Sequence, residues 1–210
     1  IDDAGQAWRF GDLYPIWPQG SCLVILNNGT AQWFNGIPWY LTDLRPQGFL
    51  GRAWGRRLAQ QTGLPEDIRL WQEEDVLLAL SQQVSENLGG WLVGEGSYRN
   101  WFETPLPQPI QTAVKLSVYR EMANGALAGD IVGSSAGGEQ PKFTCYTQTA
   151  TGPVHVIVKF TPAVHNENSQ RWADLLHAEE LALKILNQAI IPASIAKTYT
   201  YSEQQTFLEV

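Results

Sequence analysis

Methionine occurs once in these 210 residues, cysteine twice and histidine three times, and the first 110 residues contain no lysine at all. Each shortage excludes something. Cys22 and Cys145 lie too far apart in the chain to suggest a disulfide framework, and they read as a reduced, cytoplasmic pair. His155, His165 and His177 have no metal-ligand spacing among themselves or with the cysteines, so no metal site is expected. No apolar run approaches the ~18 residues of a membrane-spanning helix, and no charged-then-apolar leader opens the chain. A net charge of −7 argues against a broad nucleic-acid footprint, which needs a basic face. Arg52, Arg56 and Arg57 do cluster, but three arginines on a solvated helix face read as solubility before a phosphate track. No convergent Ser/His/Asp set is visible. The chain opens on Ile1 and stops at Val210 inside a strand-like run, so both ends read as cut edges.

What is present is unevenly spread. Eight of the nine tryptophans precede residue 110, and only Trp172 follows it. Glu103–Pro109 carries Pro105, Pro107 and Pro109, which suits an extended junction between two modules, 1–109 and 110–210. In the first module, Cys22–Leu26, Thr30–Phe34 and Ile37–Leu41 are separated by Asn28-Gly29 and Asn35-Gly36 turns and predict a small antiparallel meander. Leu50, Trp54 and Leu58 then recur at helical spacing before Gly63. A second helix, from Glu73 to Leu88, has an acidic first turn and Gly89 after its end. Nothing here has catalytic spacing, and the tryptophans read as core and interface rather than a ligand cage.

The second module predicts a helix over 108–123, stopped by Asn124-Gly125, and then a strand at Gly129–Val132. A small-residue loop follows at Gly133–Gly138, with strands at 142–146 and 154–160, a helix over 169–187, and strands at 195–201 and 205–210. The whole is an α+β chain: a meander-plus-helices subdomain, then an antiparallel sheet with one long helix.

Three features of this module could carry chemistry. The loop offers backbone N–H groups with little side-chain obstruction, as phosphate oxygens require. Gly133 and Gly138 have the spacing of a Walker loop, yet Glu139 stands where that motif needs lysine, and the lysine is displaced to Lys142. Taken alone the loop is equally a tight turn. In the strand ending Val-Ile-Val-Lys159, Val156, Val158 and Phe160 share one face and Ile157 and Lys159 the other. A lysine in so apolar a strand must snorkel, sit at a frayed end, or meet an anion. Glu179 lies seven residues from both Trp172 and Leu186, within the stripe Trp172, Leu175, Leu176, Ala182, Leu183 and Leu186. A carboxylate there needs a cation or goes neutral. Lys159 is the expected partner, while Glu180, about 100° round the helix, is expected in solvent. The pair could equally be scaffold.

At these residues the sequence resembles the HipA-family serine/threonine kinases, the toxin class of bacterial toxin–antitoxin pairs, and most closely their YjjJ-type branch. Tyr119-Arg120, Gly129-Asp130, Ser134–Phe143, Val158-Lys159, Ala178-Glu179 and Phe207–Val210 carry the resemblance, which covers the second module well and the first only in position and size. It implies a protein-kinase-like N-lobe with an αC-like helix, ATP and Mg²⁺ as cofactors, and phosphorylation of protein serine or threonine, with aminoacyl-tRNA synthetases as the substrate class. It implies ATP-phosphate contacts from Ser134, Ser135, Gly137, Gly138 and Lys159, with Glu179 as the lysine's partner. Ser134 or Ser135 would be autophosphorylated to switch the kinase off. The catalytic aspartate and magnesium ligands are expected beyond Val210, since no His-x-Asp-x₄-Asn and no Asp-Phe-Gly occurs here. No catalytic residue is therefore assigned within the chain, and the fragment alone is expected to be inactive. An antitoxin is an expected partner, and DNA would be bound only through a segment before Ile1. The different reading that stays open is a non-catalytic binding or transcriptional-regulator module with a vestigial kinase-like fold.

Overall fold

The computed structural model describes residues 6–16, 20–81, 91–105, 107–128, 138–163, 166–201 and 205–210. It is a mixed α+β structure with two antiparallel sheets. The chain divides into two compact units, Ile1–Gln47 with Trp54–Pro105, and Gly48–Ala53 with Leu106–Val210. The short segment Gly48–Ala53 joins the second unit although nothing in composition marks it.

In the first unit, strands β1 (Gly11–Ile16), β2 (Ser21–Leu26) and β3 (Ala31–Asn35) form a sheet in that order. Gly29, at φ 81°, turns β2 into β3, and the Thr30 N–H donates to Asn28 Oδ1 at 2.9 Å. The expected third strand, Ile37–Leu41, is not one. Pro38, at φ −49°, starts a 3₁₀ turn over Trp39–Leu44 that buries Leu41 and Leu44. The third strand is β1 instead, overlooked because Pro15 weakens its strand signal; as an edge strand it tolerates the missing donor. Helix α1 (Gly48–Thr62) ends as expected at Gly63, whose φ of 75° is the left-handed closure that glycine favours.

Helix α2 (Glu73–Ser81) buries Val76, Leu77, Ala79 and Leu80; its expected continuation to Leu88 lies outside the described residues. Its Glu73 accepts from the Ile37 N–H at 3.1 Å and pairs with Arg45. Helix α3 (Gly94–Glu103) was not expected, because Gly94 and Gly96 are poor helix formers. The tryptophans divide. Trp54 and Trp71 are buried with rings 6.3 Å apart, whereas Trp8, Trp33 and Trp39 are exposed.

The second unit is built on four strands in the order β4 (Lys142–Thr149), β5 (Gly152–Phe160), β7 (Gln205–Glu209), β6 (Lys197–Tyr201). Helix α4 (Lys115–Ala128) contributes Tyr119, Ala123 and Ala126 to a core with Phe143, Val156, Val158, Phe160 and Phe207. It runs through Asn124-Gly125, where a stop was expected, because the fully buried Ala123 and Ala126 flank that pair and packing overrides propensity. Helix α5 (Glu167–Gln188) packs through Leu176 against Leu208 and Ala196. A capping box starts it: Asn166 accepts from the Ser169 N–H, and Ser169 Oγ from the Asn166 N–H, both at 2.9 Å. It ends with Ile190 at φ 62°, where glycine is usual, and with the Ile191 N–H on Leu186 O at 2.9 Å. The expected strand Gly129–Val132 lies outside the described residues.

One ionic group sits inside the α4 core. Lys115 Nζ is 2.9 Å from Glu209 Oε2, which also accepts from Tyr119 Oη at 2.5 Å, and both charged side chains are nearly buried. Burial, and then the Glu209 carboxylate, push the Tyr119 phenol far above its ordinary value. Burial likewise raises the neighbouring Cys145 thiol, to about 11.

Breaking a buried ion pair from one side strands the other charge. Lys115→Met is therefore expected to cost about 3 kcal/mol and to speed hydrogen exchange of the β7 amides by roughly a hundredfold. Unchanged β7 exchange would show that the pair holds nothing. Ile190 is 92% exposed and makes little use of its side chain. Replacing it with glycine should stabilise α5 by about 1 kcal/mol in thermal unfolding, by relieving the left-handed strain.

Candidate functional site

The alternation of β5 turns Val156, Val158 and Phe160 into the α4 core, and so presents Lys159 on the opposite face, toward α5. On α5, Glu179 comes three residues after the buried Leu176 and so shares its side of the helix. The two side chains meet. Lys159 Nζ lies 2.5 and 2.7 Å from the two carboxylate oxygens of Glu179, a two-pronged contact. The lysine side chain keeps 23% of its exposure and the glutamate 32%. The pair is thus held on one side by the sheet and helix and stays open on the other.

The covered stripe of α5 is Ser169, Trp172, Ala173, Leu176, Glu179, Glu180 and Leu183. Leu175 and Leu186, expected within it, are exposed, as is Ala182. The stripe is centred on Leu176, which leaves these three a quarter-turn or more away. Glu180, expected in solvent, is also placed differently. It accepts from Thr198 Oγ1 on β6 and pairs with Lys184 at 2.6 Å, and its side chain is only 12% exposed. Lys184, and then the Thr198 hydroxyl, hold the Glu180 carboxyl below the usual carboxylate range. A lowered acid contributes stability above its unfolded value of ~4.3 that is lost as pH falls through the folded value. The tie from α5 to β6 therefore weakens only in acid.

Of the loop residues, Gly138 is described, whereas Ser134, Ser135 and Gly137 lie outside the described residues. Gly138, at φ 100°, turns its carbonyl onto the first turn of α1, where it accepts from the Phe49 N–H at 3.0 Å. Gly48 allows that approach: a Cβ there would lie 2.4 Å from the Gly138 carbonyl oxygen. Glu139, which spoils the Walker reading, pairs with Arg52 at 2.5 Å on an exposed surface.

Sequence reading gave Lys142 no role. Lys142 is the register partner of Lys159 across the β4–β5 ladder, so their side chains share a face. It is 4% exposed, and its Nζ lies 3.4 Å from Gly138 O. The signal was available in sequence as two strand-end lysines, but only the pairing register connects them. Among the described residues no cluster of three histidine, cysteine or acidic side chains is disposed to hold a metal ion.

Comparison with known proteins matches residues 1–102 to the family model described as YjjJ-like toxin, middle domain. Over 209 residues the chain is 57% identical to Toxin YjjJ of Escherichia coli (strain K12), covering all of this chain and 47% of that protein. The chain thus spans about half the length of this curated relative. No solved structure matches it. The chain is thus similar to a protein named as a toxin, and its first 102 residues to the middle domain of YjjJ-like toxins. The likeness to the YjjJ type runs along the full length of this chain, in agreement with the resemblance carried by Ser134–Phe143, Val158-Lys159, Ala178-Glu179 and Phe207–Val210.

The contact at the loop's end yields a direct check. Gly48→Ala should remove the Phe49–Gly138 hydrogen bond, costing about 1–2 kcal/mol in backbone strain alone. Exchange of the Phe49 amide hydrogen should quicken about tenfold or more. An unchanged Phe49 amide would mean that the loop end is not anchored there.

Proposed function

We propose that this chain is the ATP-binding, N-terminal part of a HipA-like protein serine/threonine kinase toxin, and that its second unit serves as a kinase-like N-lobe. The observation that carries the reading is the Lys159–Glu179 contact, made between β5, the second strand after a small-residue loop, and the long helix that follows. An ion pair is a poor staple, since apolar side chains of the same size hold a strand to a helix as well or better. A half-open pair makes more sense as a device that fixes an ammonium toward an incoming anion. In a kinase that ammonium contacts the phosphates of ATP while the glutamate sets its position.

The residues in hand fit the phosphate end of the nucleotide. Lys159 would contact phosphate oxygens, Glu179 would orient it, and Gly138 with Ser134, Ser135 and Gly137 would border the same end. Magnesium, when bound with ATP, neutralises charge on the phosphates, and by the family resemblance its ligands would lie outside this chain. The same holds for the catalytic base, so the chain is expected to bind nucleotide without transferring phosphate. Protein serine or threonine, of the aminoacyl-tRNA synthetase class by family resemblance, would be the acceptor. Ser134 or Ser135 would be the site of self-inhibition. An antitoxin would be a partner, and DNA would be engaged only through segments outside this chain.

The test is nucleotide-dependent stability of the full-length protein. ATP at about 1 mM should raise Tm by a few degrees, as expected for a ligand well above its Kd, and Lys159→Met should abolish the rise. No shift in the wild-type protein would leave the vestigial, non-catalytic reading in its place.

A further inference from the structure

Helix α5 is apolar on two sides. One side packs Leu176 and Leu183 with Ala196 and Leu208. At about 100° per residue, the opposite side carries Leu175, Ala178, Leu181, Ala182, Ile185 and Leu186, and no charged residue falls among them from Leu175 to Gln188. All six are exposed, Leu181 at 59% and Ile185 at 53%. A helix with one buried side keeps polar residues on the other, whereas a helix apolar on both is ordinarily covered twice. An apolar strip of about three helical turns is rarely left to water.

The relief of the strip says what shape covers it. Ala178 and Ala182, one turn apart, form a low line, with Leu175 and Leu186 along one edge and Leu181 and Ile185 along the other. Such a groove takes the ridge of a second helix, whose axis then lies about 8–10 Å away. The surroundings say which helix. Leu183 of α5 and Val210, just after β7, pack on the same cluster, and Val210 exchanges both backbone hydrogen bonds with Ile157 at 2.9 Å. Residues that follow Val210 therefore emerge beside α5. The chain matches 47% of the length of Toxin YjjJ, so more than half of that relative lies outside the matched stretch. A tethered segment meets the groove at a high effective concentration, whereas a second copy must first give up translational and rotational freedom.

We propose that the groove on the outer side of α5 is a docking surface for an apolar-faced helix in the part of the full-length protein that follows Val210. The helix that bears Glu179 is then held between two layers, the sheet on one side and that segment on the other. The inference shares with the proposed function a full-length protein that continues past Val210, but it does not require nucleotide binding.

The experiment places a photo-crosslinking residue, p-benzoylphenylalanine, at Ile185 of the full-length protein, with the same residue at the exposed Leu70 of the first unit as control. Peptide mass spectrometry should join position 185 to a segment beyond Val210 within one polypeptide, with a yield unchanged on dilution. A product between two copies, growing with concentration, would assign the groove to self-association and overturn the proposal. So would crosslinks confined to the stretch before Val210, or a yield no higher than the control's. Thermal unfolding gives a second reading. Leu181→Lys and Ile185→Lys together should lower the Tm of the full-length protein by about 5 °C or more, against about 1 °C or less for Leu70→Lys. Equally small shifts would overturn the proposal, since they would leave the groove in water. ATP enters neither readout. An absent nucleotide shift beside the expected crosslink fails the kinase reading alone, and the reverse result fails this inference alone.

Discussion

The second unit depends on the two-residue alternation of β5. That strand is hydrogen-bonded on both sides, to β4 and to β7, so it cannot rotate about its axis without breaking two ladders. With Val156, Val158 and Phe160 committed to the aromatic core beneath α4, Lys159 has to stand on the other face. Everything proposed about the site follows from that placement. Leu208, Lys142 and Lys159 reach the α5 face by register, and α5 brings Glu179 to meet the lysine because Leu176 fixes its rotation.

Ion pairs lie on both faces of the sheet, and two of them differ in setting. On the α4 side, Lys115 and Glu209 are nearly buried, with a tyrosine hydroxyl satisfying the carboxylate further. On the α5 side, Lys159 and Glu179 keep about a quarter to a third of their exposure. A nearly sealed pair leaves its charged groups little access to a ligand, although removing one partner would strand the other. A half-open pair keeps its lysine accessible from solvent, and the proposed function uses that access. The same chemistry thus has two uses in one sheet, and exposure tells them apart.

Much of this was legible in sequence, for identifiable reasons. The strand around Lys159 and the helix around Glu179 are long, strongly periodic segments, and their phases bring the two residues together. Short or glycine-rich elements were not legible. β1 was hidden by Pro15, the 3₁₀ turn at Trp39–Leu44 passed for a strand, and α3 was hidden by its glycines. Asn124-Gly125 read as a stop because local propensity says nothing of the sheet that α4 covers. Glu180 and Lys142 were missed for a common reason. Each is set by a residue on another element, Thr198 of β6 for Glu180 and the register partner Lys159 for Lys142, and single-element periodicity cannot see across elements. The tryptophan-rich half gave the weakest family signal to residue-level reading, although that half matches the family model.

The central claim is that Lys159 is the lysine that meets ATP phosphate. The most direct measurement is lysine acylation of the full-length protein, with and without ATP, read peptide by peptide by mass spectrometry. Lys184, on the same helix as Glu179 and well exposed, is the internal control. The account predicts that ATP slows modification of Lys159 and leaves Lys184 unchanged. Equal reactivity of Lys159 with and without saturating ATP would contradict it.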